Sequence, residues 1–408
     1  MTFAKNPRFA IPALASILYF SQGFPFGIVN ETINLYLSFE KVSLPKIGLI
    51  GGVGIIWTFK FLWAPLVDAV ATYRAWIFGA LVVLAGAIAT LGTVPPAGSA
   101  FVAALVILVF ASATQDIALD ALAIRITPPN LLGLVNSARV AAFRAAMIVA
   151  GGGVALLADR MGWRGAFYVA AAFPLVMLVA IALGAPKETE VREREQNPFL
   201  GLWRWLQKPG AVWLMAVILL YRMGDNTLMA MIRPYWVERG FSATEVGNVT
   251  TTLGMICTIA GAIAGGAFVT KFGVYRGLVV LGLIQMLSNL AYAYVAATDA
   301  SRPFLYGASV IETFCGGLGT AAFLSFLMFI CDKANAATEY AMLSALFGVG
   351  RTAAVAISGY IAQDLGFAKF YLLTAALALP GLALLPLIKP VILRRADAEE
   401  SPAGAPIS

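Results

Sequence analysis

Ala158-Asp159-Arg160-Met161-Gly162-Trp163, followed by Phe167-Tyr168, returns about 204 positions later as Ala362-Gln363-Asp364-Leu365-Gly366-Phe367, followed by Phe370-Tyr371. Each copy joins two apolar runs, and Arg144 and Arg351 precede Gly152 and Gly359 by the same eight residues. Repetition at this interval splits the chain into two halves of like plan. A helix crosses the hydrocarbon core of a bilayer with about 20 apolar residues. About twelve such spans fit the chain, near 11–37, 47–67, 75–94, 100–124, 133–157, 165–185, 211–236, 245–268, 277–297, 304–330, 339–362 and 369–388. With 60% hydrophobic and 12% charged residues and a mean hydropathy of +0.85 over 408 residues, the chain exceeds what a soluble core can hide. An all-α integral membrane protein follows. Lys5 and Arg8 precede an apolar run in the manner of a secretory signal, but that run continues to Leu37 and reads as an uncleaved first span.

One long polar connection, Pro186 to Gly210, interrupts the pattern. The expected organisation is a six-helix half over 1–185, a connection over 186–210, a second six-helix half over 211–388 and a tail over 389–408. Within the connection Phe199, Leu202, Trp203 and Leu206 share a helical face suited to lying on the membrane. Basic residues crowd one set of loops, among them Arg74, Arg125, Arg192, Lys271, Lys333 and Arg394, which predicts cytoplasmic termini. Topology and anionic lipid contact then account for the net charge of +7 without nucleic acid. Two six-span halves in parallel repeat are the plan of the major facilitator transporters, which rock about a midplane site.

Between the second and third spans, Trp63-Ala64-Pro65-Leu66-Val67-Asp68-Ala69-Val70-Ala71-Thr72-Tyr73-Arg74 has the acid-then-base order of the facilitator loop motif. Its counterpart is Gly265-Gly266-Ala267-Phe268-Val269-Thr270-Lys271-Phe272-Gly273-Val274-Tyr275-Arg276. Asp68, Arg74, Lys271 and Arg276 are therefore gating candidates, latching the halves on the cytoplasmic side. Positive anchoring with an incidental acid explains either copy alone; two copies in register favour the facilitator plan.

Asp116 and Asp120 stand one helical turn apart inside an otherwise apolar segment. A carboxylate at bilayer depth costs at least roughly 2.5–3.5 kcal/mol, so it is kept where it lines a pathway or meets a partner. Ionising both is disfavoured on one helix face, which suits proton coupling, with Asp120 the milder contributor because it lies nearer the cytoplasmic end. Glu31, Asp225 and Glu312, in the first, seventh and tenth spans, join them as proton-coupling candidates. The alternative is that these acids pair with arginines to close the bundle. Lys60, close to the cytoplasmic end of its helix, is expected to snorkel outward and to serve gating. Arg139, Arg144 and Arg351 are candidates for binding substrate carboxylates, with Gln22, Asn30, Tyr36, Asn226 and Gln285 as weaker polar candidates. Any one amide serves equally well to bridge helices.

Histidine is absent, which excludes a Ser-His-Asp triad and any His-ligated metal and puts proton coupling on carboxylates. Cys257, Cys315 and Cys331 are too dispersed for a metal or disulfide framework, and no Walker or dinucleotide loop is present. The expected energy source is a proton gradient, with no cofactor. A membrane enzyme acting on lipid-linked substrates and a non-transporting receptor are the competing classes. Transport predicts the duplicated loop charges and catalysis does not need them.

Lys60-Phe61-Leu62-Trp63-Ala64-Pro65-Leu66-Val67-Asp68 and Ala113-Thr114-Gln115-Asp116-Ile117-Ala118-Leu119-Asp120 resemble hallmark segments of the AmpG and acetyl-CoA transporter branch of the facilitators. Glu312-Thr313-Phe314-Cys315-Gly316-Gly317-Leu318-Gly319-Thr320-Ala321-Ala322-Phe323 resembles the AmpG tenth helix. Ala337-Thr338-Glu339-Tyr340-Ala341-Met342-Leu343-Ser344-Ala345-Leu346, followed by Val349-Gly350-Arg351, resembles the start of its eleventh. The resemblance implies a proton-driven, monomeric importer in the bacterial inner membrane, whose solute in AmpG is an anhydro-muropeptide, an anionic glycopeptide. After Asp120, however, AmpG sequences usually continue with a tryptophan, a basic residue and another acid, where this chain reads Ala121-Leu122-Ala123-Ile124-Arg125-Ile126. The solute stays open between an anhydro-muropeptide, a siderophore and acetyl-CoA.

Overall fold

The computed structural model describes residues 7–184, 205–208 and 210–400, which are helical nearly throughout. Phe199, Leu202 and Trp203 of the expected interfacial face lie outside the described residues. Among the described residues, nine helices are long and apolar enough to cross a membrane. Two of these, Pro129–Gly184 and Ala336–Ala383, each turn at an interior glycine and supply two spans apiece, while Leu49–Leu62 is a shorter apolar helix in the second-span position. The expected count of about twelve is reached in that way.

The turning glycines are Gly162 (φ 75°, ψ 162°) and Gly366 (φ 72°, ψ 157°). Only glycine enters that backbone region without strain, so the repeat in sequence marks one corner built twice. The surrounding rings repeat as well. Tyr36 packs on Trp163 at 5.1 Å and edge-on to Phe167 at 5.2 Å, while Tyr235 packs on Phe367 at 4.9 Å and edge-on to Tyr371 at 5.4 Å. Nothing lies within 4 Å of a Cβ added at Gly366. Gly366→Ala should therefore cost about 1–3 kcal/mol through its backbone alone, read as a lowered melting temperature. Gly359→Ala, at an equally open helical position, should leave stability unchanged or raise it slightly.

Several spans depart from single helices. The second is assembled from Ile55–Phe59, Lys60–Leu62 and Ala64–Ala69, because Phe59 (ψ 4°) and Trp63 (ψ 1°) leave helical geometry. The seventh breaks at Tyr221 and Arg222, between Ala211–Leu220 and Met223–Glu238. Beyond the last span, a helix over Leu385–Glu400 continues into the segment expected as a tail.

The chain divides into two compact units. One holds Met1–Thr127, Ala138–Leu202 and Cys331–Ala345; the other holds Pro128–Ser137, Trp203–Ile330 and Leu346–Ser408. Each unit thus includes the start of the fifth helix of the opposite sequence half. In the first unit, Asp68 Oδ2 accepts a hydrogen bond from the Thr338 backbone N–H at 2.7 Å. In the second, Thr270 Oγ1 accepts from the Leu134 backbone N–H at 3.1 Å. Asp68 and Thr270 occupy the same position of the two loop motifs, and Thr338 follows Leu134 at the repeat interval. One interaction is built twice, with a carboxylate in one copy and a hydroxyl in the other.

Candidate functional site

Asp116 and Asp120 lie on one face of Ser99–Ile126, 9% and 2% exposed. Lys60 reaches both, with Nζ 3.8 Å from Asp116 Oδ2 and 3.8 Å from Asp120 Oδ2. The expectation that Lys60 snorkels is corrected here, since it is 8% exposed and ion-paired. Local geometry gives the reason. Lys60–Leu62 is a 3₁₀ turn, in which residues three apart eclipse, so Lys60 and Trp63 turn toward the same neighbour. Trp63 fixes the register by donating from Nε1 to Thr114 Oγ1 at 3.1 Å and stacking on Phe110 at 4.8 Å.

Asp120 is the more heavily tied acid. Its Oδ1 accepts from Tyr19 OH at 3.0 Å and lies 3.2 Å from Arg139 NH1. Arg139 NH1 also donates to Tyr340 OH at 2.6 Å, and its guanidinium lies over the Tyr19 ring at 4.5 Å. Gln22 hydrogen-bonds Asp116, and beside it Gln115 Nε2 donates to Ser21 Oγ at 2.7 Å. Two carboxylates thus face two cations in a buried cluster drawn from the first, second, fourth, fifth and eleventh spans. Charge is balanced when both acids are ionised. Protonating either leaves one net positive charge in a medium that screens it poorly.

The Major Facilitator Superfamily model matches residues 14–247 and again 214–407. The anhydromuropeptide permease of Escherichia coli (strain K12) is 34% identical over 394 residues, covering 93% of this chain and 79% of the relative. The chain belongs to the major facilitator superfamily, in its AmpG-like permease branch. Solved structures agree on the fold. The human organic anion transporter MFSD10 superposes with a TM-score of 0.74 at 16% identity, covering 93% of this chain and 100% of that one. The E. coli fucose:proton symporter FucP gives 0.69 at 15%, covering 97% and 100%. Family and fold make this facilitator a multi-pass membrane transporter and not a catalytic enzyme.

Other sequence candidates of this facilitator fall elsewhere. Glu31 and Asn30 are exposed on the π-helical turn Ile28–Thr32, where Asn30 Nδ2 donates to Phe26 O at 2.9 Å. Tyr36 is buried in its aromatic cluster. Arg144 is partly buried, with NH1 4.0 Å from Met147 Sδ. Arg351 is exposed and has no hydrogen bond or ion pair to any described residue. In the second unit Arg222 and Asp225 are ion-paired, Gln285 is buried and Asn226 half-buried.

Of the gating candidates, Asp68 is buried and accepts from Tyr73 OH at 2.6 Å, Ala337 N at 3.2 Å, Thr338 N at 2.7 Å and Thr338 Oγ1 at 2.5 Å. It therefore caps the N-terminus of the eleventh-span helix, where backbone N–H groups lack partners. Arg74 NH2 donates to Ala182 O at 3.1 Å, and Lys271 and Arg276 are exposed. Sequence reasoning passed over Tyr19 and Tyr340. Tyr19 lies one turn from Gln22, and Tyr340 stands inside a quoted motif, but only the packing of distant helices brings both to Arg139.

Proposed function

We propose that this facilitator is a proton-coupled importer of anhydro-muropeptides in the bacterial inner membrane, monomeric and with both termini in the cytoplasm. The observation that carries the coupling is the balanced, buried cluster of Asp116, Asp120, Lys60 and Arg139. The proposed solute follows the permease that is 34% identical over 93% of the chain.

The cluster supports a simple sequence of steps. Asp116, which among the described residues is paired with Lys60 and hydrogen-bonded by Gln22, takes up the proton, while Asp120 keeps its contacts with Tyr19 and Arg139. Lys60 then has a single acid partner and offers positive charge to an anionic solute. Loading neutralises the cluster again, which lowers the cost of closing apolar helices over it. Proton release on the inner side restores the Lys60–Asp116 pair and expels the solute.

Uptake into proteoliposomes tests the assignment. Labelled anhydro-muropeptide should accumulate under an imposed inward proton gradient and leak out when a protonophore collapses it. Accumulation of a siderophore or acetyl-CoA in its place would reassign the solute, and accumulation unaffected by the protonophore would remove the proton.

A further inference from the structure

Among the described residues of the second unit, one carboxylate has no hydrogen-bond donor or ion-pair partner. Glu312, on Arg302–Ile330, is 1% exposed, and both its Oε1 and Oε2 are buried without a hydrogen-bond donor. Nearby on the seventh span, Asp225 is paired with Arg222, and Asp225 Oδ1 also lacks a donor. Arg222 NH1 donates to Thr320 Oγ1 at 2.8 Å, two turns along the helix that carries Glu312. Among the described residues, the titratable groups that act electrostatically with Glu312 are Asp225 and Arg222 from the seventh span, Tyr292 from the ninth, Cys315 from its own helix and Tyr371 from the twelfth. Arg222 is the one cation of that set, and Asp225 already holds it.

The two units therefore differ in charge balance. In the first, two acids face two cations; in the second, two acids face one. An ionised, unpaired carboxylate in an apolar helix bundle is strongly disfavoured. A carboxylic acid is neutral and brings its own donor, which is what the unsatisfied oxygens of Glu312 and Asp225 require.

We infer that Glu312 is a second proton-carrying site, loaded in this conformation and emptied when Arg222 turns from Asp225 toward it. The O–H bond of Glu312 breaks, its proton passes to water, and Arg222 shares its charge between the two carboxylates. This rests on the proton-coupled reading above and extends it to one proton carried by each unit.

Infrared difference spectra of the full purified chain in lipid provide the test, since they need no solute and stand whatever the cargo proves to be. Wild type minus Glu312→Gln should show the carbonyl band of a protonated carboxylic acid at neutral pH, and the band should vanish reversibly as pH rises. Asp225→Asn releases Arg222 to Glu312 and should move that loss to lower pH, whereas Asp116→Asn should leave it in place. Melting temperature confirms that each variant is folded. In proteoliposomes Glu312→Gln should retain exchange and move one proton per solute in place of two. Absence of the band overturns the proposal, and so does its removal by sodium, which would make this a cation site. A band that never titrates while the protein stays folded also overturns it, leaving Glu312 a structural acid.

Discussion

Asp116→Asn is expected to abolish gradient-driven accumulation while leaving counterflow exchange and thermal stability close to wild type. The amide keeps the shape of the side chain and a hydrogen-bonding group for Gln22, and a neutral group costs less to bury than an unpaired charge. Lys60 is not stranded, because Asp120 Oδ2 lies as close to it as Asp116 does, at 3.8 Å. The variant resembles a permanently protonated transporter: it binds and exchanges solute but cannot reset with the gradient. Asp120→Asn should behave differently. It removes the carboxylate that Arg139, Tyr19 and Lys60 share, and breaking a buried pair costs about 3–5 kcal/mol. Its melting temperature should fall and transport should fall with it, in contrast to the milder effect expected from its place nearer the helix end. Measuring accumulation, exchange and melting on each purified protein separates the two. Full gradient-driven uptake by Asp116→Asn would take that residue off the proton path.

The contrast between the two aspartates shows what a sequence carries and what it does not. Their i, i+4 spacing in an apolar run is a local fact, legible because burying a carboxylate in lipid is costly enough to demand a reason. The corner at Gly162 and Gly366 is legible for a similar reason, since its backbone admits essentially one residue type and so leaves the same letter in both halves. Lys60 was not legible. Closeness to a helix end suggests snorkelling, and only the 3₁₀ turn, held by Trp63 on Thr114, directs it at the acids. Arg139 was legible as an intramembrane cation and a candidate for binding substrate carboxylates, but its partners come from elements 120 and 201 residues away in sequence, Tyr19 and Tyr340. Periodicity within a helix says nothing about such contacts. The loop motif was legible as a duplicated charge pattern, yet its working partner proved to be a helix N-terminus, which has no side-chain signature beyond Thr338.

Asp68→Asn should release that helix N-terminus. The Asp68 carboxylate accepts from two backbone N–H groups and two hydroxyls of Tyr73, Ala337 and Thr338, and an amide offers one oxygen in place of two. Its NH2 group would face donors, leaving at least one buried N–H without an acceptor, at a cost of about 1–3 kcal/mol. Native cysteines report the outcome. Cys331, just before the latched helix, is 1% exposed, and Cys315 within the tenth span is 8% exposed. In Asp68→Asn, alkylation of Cys331 should quicken by roughly 5- to 150-fold, the range that corresponds to such a shift in population, while Cys315 reacts as before. Tyr340→Phe, which removes one of the acceptors of Arg139 two residues beyond Thr338, should quicken Cys331 in the same direction. If the two variants act on one segment, their combination should depart from additivity. An unchanged Cys331 rate in a folded Asp68→Asn protein would mean that the eleventh helix is held at its start by other contacts, and that the loop carboxylate is an anchor, not a latch.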